Sequence, residues 1–244
     1  MVETLLAWYA EHGRDLPWRR TRDPYAVLVS EVMLQQTQVA RVVGRWERWL
    51  QRWPDAAALA AAPTADVLRE WVGLGYNRRA LRLHEACTVV ARDGWPEDLL
   101  TLPGVGPYTA AAVRAFAHDE PLVPVDTNVR RVFSRAGAMT GPPELGHALM
   151  DLGATICTAR RPQCGACPLE RCPSRGRVAE APRVVRRAAP RFEDTDRYVR
   201  GRVVAALAAG EGLPAVEDDR LERALAGLER DGLIVRDRGA PRLP

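Results

Sequence analysis

"LPGVGPYTAAAV", residues 102–113, is the stretch that decides how this chain folds. An apolar residue, then Pro-Gly-Val-Gly, then an Ala-rich run opened by Pro107, reads as one helix ending, a tight hairpin turn and a second helix beginning. Gly104 and Gly106 let such a turn close with its backbone N–H groups facing outward. Together with the N-terminus of the next helix they would cradle an anion such as a nucleic-acid phosphate. A Gly-x-Gly before a helix also occurs in ordinary helix–helix connections, so the reading needs support from its surroundings. On both sides the apolar residues recur at helical spacing, over 2–12, 24–39, 40–52, 64–72, 77–92, 107–118, 127–137 and 144–155. Pro24 opens one helix, Pro54 and Pro63 flank a short Ala-rich turn, and Gly94 closes another. No alternating strand pattern of useful length appears before residue 190. The body is expected to be all-α.

An apolar content of 47% over 244 residues supports an ordinary core. The N-terminus "MVETLLAWYAEHG" does not resemble a signal peptide, and no apolar run approaches the ~18 residues of a membrane span. A soluble, cytoplasmic protein with no membrane contact is therefore expected. All 35 basic side chains are arginine, so no lysine amine exists to form a Schiff base. Charge is unevenly spread: residues 1–156 carry 17 Arg and 18 acids, residues 157–191 carry 9 and 2, and residues 192–244 carry 9 and 11. The middle stripe is the footprint of a polyanion partner or of a solvated basic linker. Pro182, Pro190 and scattered Arg make 177–191 a linker, and 192–244 reads as helix, helix and a hairpin around Arg238-Gly239, a small winged-helix-like module. Because that module is net acidic, packing or a protein contact is expected of it rather than DNA binding.

Three local patterns carry chemistry. Cys157, Cys164, Cys167 and Cys172 follow spacings x6, x2 and x4, close enough for one metal site, whereas Cys87 stands alone in a helix. Zinc and a [4Fe–4S] cluster both accept four thiolates, and a wide first gap followed by three close cysteines favours iron–sulfur. Arg160 and Arg161, in the first loop, are candidate phosphate contacts. In "LVSEVMLQQTQVA", residues 28–40, Glu31 is almost encircled by apolar positions and followed by uncharged Gln35, Gln36, Thr37 and Gln38. A lone helical Glu is ordinarily an exposed one. Asp126, in "PVDTNVRRVFSR", stands just before a helix and is a natural N-cap.

Taken in order, "SEVMLQQTQV", "GLGYNRRALRLH", "LPGVGPYTA", "VDTNVRRV", "MDLGATIC" and the cysteine run resemble the helix-hairpin-helix DNA glycosylases, over roughly residues 5–175. The adenine-specific branch is the nearer likeness and endonuclease III the more distant. The resemblance implies a two-lobed all-α fold: a six-helix lobe over 18–125, and a cluster lobe combining 1–17 with 126–176. It implies a [4Fe–4S] cluster on the four cysteines. The partner would be double-stranded DNA containing an adenine mispair, bound by a monomer among the DNA of the nucleoid. The target base is flipped out of the stack. Breaking its N-glycosidic bond requires protonating the base and stabilising an oxocarbenium-like sugar, a task for two carboxyl groups. By motif position Glu31 is the acid and Asp126 the ionised partner, with Tyr108 and Asn128 placing them. Val27, Val29, Val32, Met33 and Leu34 would raise the Glu31 pKa by desolvation. Trp18 and Arg19 match the wall of the adenine pocket, and Asp151 a contact to the adenine amino group. Gln36, Thr37, Leu74 and Tyr76 match residues that meet the partner base. Tyr108 stands where relatives that also cut the strand carry lysine, so the resemblance implies a glycosylase without efficient lyase activity. A thymine or uracil mismatch glycosylase is the alternative, although those relatives generally lack the Glu of "SEVMLQQ". A non-catalytic cluster protein that binds DNA is the other.

Three departures stand out. The last cysteine gap is one residue shorter than the family commonly has. The return between Asp126 and Cys157 is short. No NUDIX-like domain follows, and the tail is not expected to read 8-oxoguanine in its place.

Overall fold

The computed structural model describes residues 1–178, 190–237 and 239–244. Most of the expected linker, and Arg238 of the expected hairpin turn, lie outside these residues. The helices run in chain order as α1 (Val2–His12), α2 (Pro24–Leu34), α3 (Val39–Arg52), α4 (Ala56–Ala60), α5 (Thr64–Trp71), α6 (Arg78–Asp93), α7 (Pro107–His118), α8 (Thr127–Ala136), α9 (Pro143–Thr155), α10 (Asp196–Ala209) and α11 (Asp218–Arg230). A two-stranded antiparallel hairpin, β1 (Val235–Asp237) and β2 (Ala240–Arg242), closes the chain, with Val235 opposite Arg242. The all-α body and the helix, helix, hairpin tail are as expected. No helix among the described residues is long and apolar enough to cross a membrane.

Packing divides the chain into two compact units. Of the described residues, the first contains 1–31 and 105–178, the second 32–104, 190–237 and 239–244. This boundary falls inside α2 and within the hairpin turn. In the first unit α9 packs against α1 and α8 around Leu5, Val129, Val132, Leu145, Leu149 and Leu152, all at most 1% exposed. Gly153 makes the α8–α9 approach feasible, since a Cβ there would lie 2.7 Å from the Asn128 Cβ. In the second unit α6 receives α4 and α5, and α10 packs on α5 and α11. Trp49, Trp53 and Trp71 meet edge-on, with ring centroids 4.7 and 5.5 Å apart.

The one substantial correction concerns α2. Its periodicity predicts a helix over 24–39, yet it stops at Leu34, and Gln36 takes a left-handed φ of 57°. The cause lies far away in sequence. Arg79, on α6, donates from Nη1 to the carbonyls of Val32 (2.6 Å), Met33 (3.1 Å) and Gln35 (2.6 Å), satisfying the helix end in place of further turns. The uncharged run after Glu31 is therefore a loop.

Candidate active site

Glu31 lies near the end of α2, in a stretch where Val27, Val29, Val32 and Met33 are at most 5% exposed. Its own exposure is 6%. A helix apolar all round is a buried helix, and a carboxyl within it loses hydration. Burial is the main reason its pKa is raised to about 7; the negative charge of Asp126 adds to the rise. A hydrogen bond from the Tyr108 hydroxyl and the charge of Arg19 act in the opposite direction. Tyr108 itself, half-buried and facing Glu31, has its pKa pushed further up by desolvation and by that carboxyl, and keeps its proton.

Asp126 caps α8, as its sequence position suggested, but that occupies only one oxygen. Oδ1 accepts from the Val129 N–H at 2.7 Å, and Oδ2 accepts from Asn128 Nδ2 at 3.0 Å. Capping and a chemical role are thus compatible in one carboxylate. Asn128 is oriented by Arg131, whose Nη2 donates to Asn128 Oδ1 (2.7 Å) and to the Gly153 carbonyl (2.6 Å), while Nε donates to the Cys157 carbonyl (2.7 Å). With its oxygen committed to a cation, the amide must present its N–H to Asp126. Sequence reading passed over Arg131; its place one turn after Asn128 on α8, "TNVRRV", was the available signal.

Trp18 and Arg19 sit on a 3₁₀ turn, Pro17–Arg19, and both are buried. Arg19 forms a two-pronged pair with Asp151, Nη1 to Oδ2 at 2.8 Å and Nη2 to Oδ1 at 2.7 Å. Arg14 adds its backbone N–H and Nε to the same carboxylate, each at 2.8 Å. Burial acts to raise the Asp151 pKa, yet these arginines outweigh it and the carboxyl lies below its usual range. Asp151, 1% exposed, is thus fully engaged by two cations, and its resting state is that of an anchor for Arg19.

The hairpin closes as expected at Gly104, whose φ of 77° favours glycine. Gly106 instead is extended at φ −97° and caps α7, with open space where a Cβ would be. Gln36 and Tyr76 are exposed, Thr37 is half-buried, and the Leu74 side chain is buried, so Leu74 offers chiefly its carbonyl to the surroundings. That carbonyl accepts from Thr37 Oγ1 (3.3 Å) and Arg79 Nη2 (3.0 Å). Arg160 and Arg161 are exposed in the loop after Cys157.

The four cysteines line one cavity, walled by Ile156, Pro162, Leu169 and Val178. Among the described residues no His, Cys, Asp and Glu set converges on a single ion. Four thiols lining one cavity are the donor set that a [4Fe–4S] cluster takes. Arg135 donates to the Cys157 sulfur at 3.4 Å and to the Thr158 carbonyl at 2.8 Å, and Arg175 to the Cys167 carbonyl at 3.1 Å. Cationic donors around the thiolates match the negative charge of such a cluster.

Known proteins agree with this geometry. Residues 29–152 match the HhH-GPD superfamily of base excision DNA repair proteins, and residues 157–171 match the iron-sulfur binding domain of endonuclease III. An adenine DNA glycosylase of Mycobacterium tuberculosis is 45% identical, over 95% of this chain and 89% of its own. One of Mycolicibacterium smegmatis is 48% identical, over 83% and 78%. Human adenine DNA glycosylase is 39% identical over 72% of this chain and 40% of its own. Among solved structures, a thermostable thymine-DNA glycosylase superposes with TM-score 0.66 at 29% identity, covering 72% of this chain and 95% of that one. The fold and the site thus define a helix-hairpin-helix DNA glycosylase carrying a [4Fe–4S] cluster. The chain belongs to the HhH-GPD superfamily and, within it, to the adenine DNA glycosylases.

Proposed function

We propose that this enzyme removes adenine mispaired with 8-oxoguanine or guanine in double-stranded DNA, acting as a monomer on chromosomal DNA. The observation that carries the reading is the buried Glu31, with a pKa of about 7, in one unit with Asp126 and hydrogen-bonded to Tyr108. Near neutral pH a substantial share of Glu31 holds its proton and can deliver it to N7 of a flipped adenine. Protonation converts the base into a good leaving group as the C1′–N9 bond breaks. Asp126, held by Val129 and Asn128, faces the positive charge that develops on the sugar and stabilises it as an ion partner or nucleophile. The ionised Glu31 then takes a proton from the water that completes hydrolysis. Tyr108 holds the carboxyl in place, and Trp18 with Arg19, the latter anchored by Asp151, forms the wall on which adenine rests. Without a lysine no side-chain amine can form the Schiff base that leads to strand cleavage.

Cys157, Cys164, Cys167 and Cys172 would hold the [4Fe–4S] cluster. When bound, it ties the loop carrying Arg160 and Arg161 to α8 through Arg135. Anaerobically purified protein should be brown with about four irons per chain; colourless protein with one zinc would refute this assignment.

The test is release of free base from duplexes carrying adenine opposite 8-oxoguanine or guanine, beside T·G and U·G mispairs. Adenine alone is expected. Release of thymine or uracil without adenine would establish the mismatch reading that the thymine-DNA glycosylase likeness keeps in view.

A further inference from the structure

In the second unit a groove of about 930 Å³ runs between the α5–α6 loop, residues 72–77, and the C-terminal module. Gln36 and Tyr76 lie on one wall, Phe192 and Arg197 on the other. The walls are joined by a relay: Arg197 Nη1 donates to the Tyr76 hydroxyl at 2.9 Å, and that hydroxyl donates to Gln36 Oε1 at 3.2 Å. The Arg197 guanidinium also lies 4.2 Å from the Tyr76 ring centroid and 5.7 Å from that of Phe192. Gln36 and Tyr76 hold left-handed φ values of 57° and 48°. Side chains other than glycine are rarely kept there unless the surroundings impose it, and such residues gather at ligand sites.

Charge placement identifies the occupant. Seven arginines line the groove against two aspartates; three of the seven, Arg197, Arg200 and Arg202, come from the C-terminal segment, which as a whole carries 9 Arg and 11 acids. Of those aspartates, Asp231 is paired with Arg200 and Arg78. The acids of the module are therefore mostly elsewhere, and the face it turns to the groove is basic and aromatic. Exposed aromatic faces beside arginines are the chemistry that holds a nucleic-acid strand.

We infer that this groove binds the DNA strand opposite the excised adenine, and that Arg197 carries the module's share by contacting a phosphate beside the partner base. The inference rests on the proposed action on mispaired DNA, and it reverses the expectation that the tail only packs. Arg197 is exposed, and with Nη1 spent on Tyr76 its other donors can reach a phosphate oxygen. Phe192, 54% exposed, offers the neighbouring apolar face.

The experiment measures affinity of the full-length protein for a duplex bearing a stable abasic analogue opposite guanine, at several salt concentrations. Arg197→Ala should weaken binding about tenfold and lower the slope of log K against log salt by about one. Arg223→Ala removes the same charge from an exposed site of α11 outside the groove and should stay within about twofold. Uncharged methylphosphonates flanking the partner guanine should erase the difference between wild type and Arg197→Ala, whereas the same change on the other strand should not. A difference that persists, or an Arg197→Ala protein matching Arg223→Ala with an unchanged slope, overturns the inference. Thermal unfolding of each variant separates lost contact from lost fold. If wild type releases no adenine while Arg197 still governs affinity, the proposed function fails and the groove stands.

Discussion

Two half-buried arginines organise this protein, one in each unit, and they are held differently. Arg19 faces Asp151 in a two-pronged ion pair, which outweighs burial and raises its pKa. Among the described residues Arg79 pairs with no carboxylate. It is held by the carbonyls of Val32, Met33, Gln35, Leu74 and Gly75 and by Thr37 Oγ1, and burial lowers its pKa to about 10. The difference separates two jobs. Around Glu31 the arginine is tied to Asp151, and burial outweighs the opposing pull of its charge on the acid. Beside the groove an uncompensated cation fixes two loops and adds to a positive surface suited to DNA.

The sharpest way to break this division is to remove the acid itself. Glu31→Gln keeps shape and removes the proton donor; single-turnover adenine release should fall ~10²–10⁴-fold while mispair binding persists. A rate within a few-fold of wild type would reduce Glu31 to a structural residue. Next in size is the ion pair. Asp151→Asn leaves Arg19 buried and unpaired, and should cost about 3 kcal/mol in denaturant unfolding. The depressed Asp151 pKa gives the effect its sign. Its stabilisation is intact above the ordinary carboxylate range and is lost as pH falls through the lower folded value, so wild type and variant should converge in acid. Smaller still is Arg79→Lys. Lysine keeps the charge but cannot reach six acceptors from a planar fork, so stability should drop by about 1–3 kcal/mol. The Gln36 and Tyr76 loops should lose amide-exchange protection before the Glu31 region does. Uniform loss across both units would contradict the division.

How much of this was legible in the sequence varied with distance. α7 and α8, with the Asp126 cap, follow from local signals, because Pro107 and Asp126 mark their own helix starts. The resemblance brought Glu31, Tyr108, Asp126 and Asn128 together, and the structure places all four in one unit. The end of α2 was illegible, because a residue 44 or more positions away fixes it. The same holds for Asp151, which reads locally as one more polar residue on α9 but meets Arg14 and Arg19 across more than 130 residues. Net charge is a poor guide to the faces of the tail, since a sum over 53 residues says nothing about which face carries the arginines.

The central claim is that burial keeps Glu31 protonated at the pH where the enzyme works. It is tested most directly by the pH dependence of single-turnover adenine release from a saturated mispaired duplex, between about pH 5.5 and 9. The account predicts a falling limb centred near 7, with about tenfold loss per pH unit beyond it, and no such limb in the residual activity of Glu31→Gln. A rate that stays flat from pH 6 to 9, or a limb centred near the ordinary glutamate value of ~4.3, would contradict it.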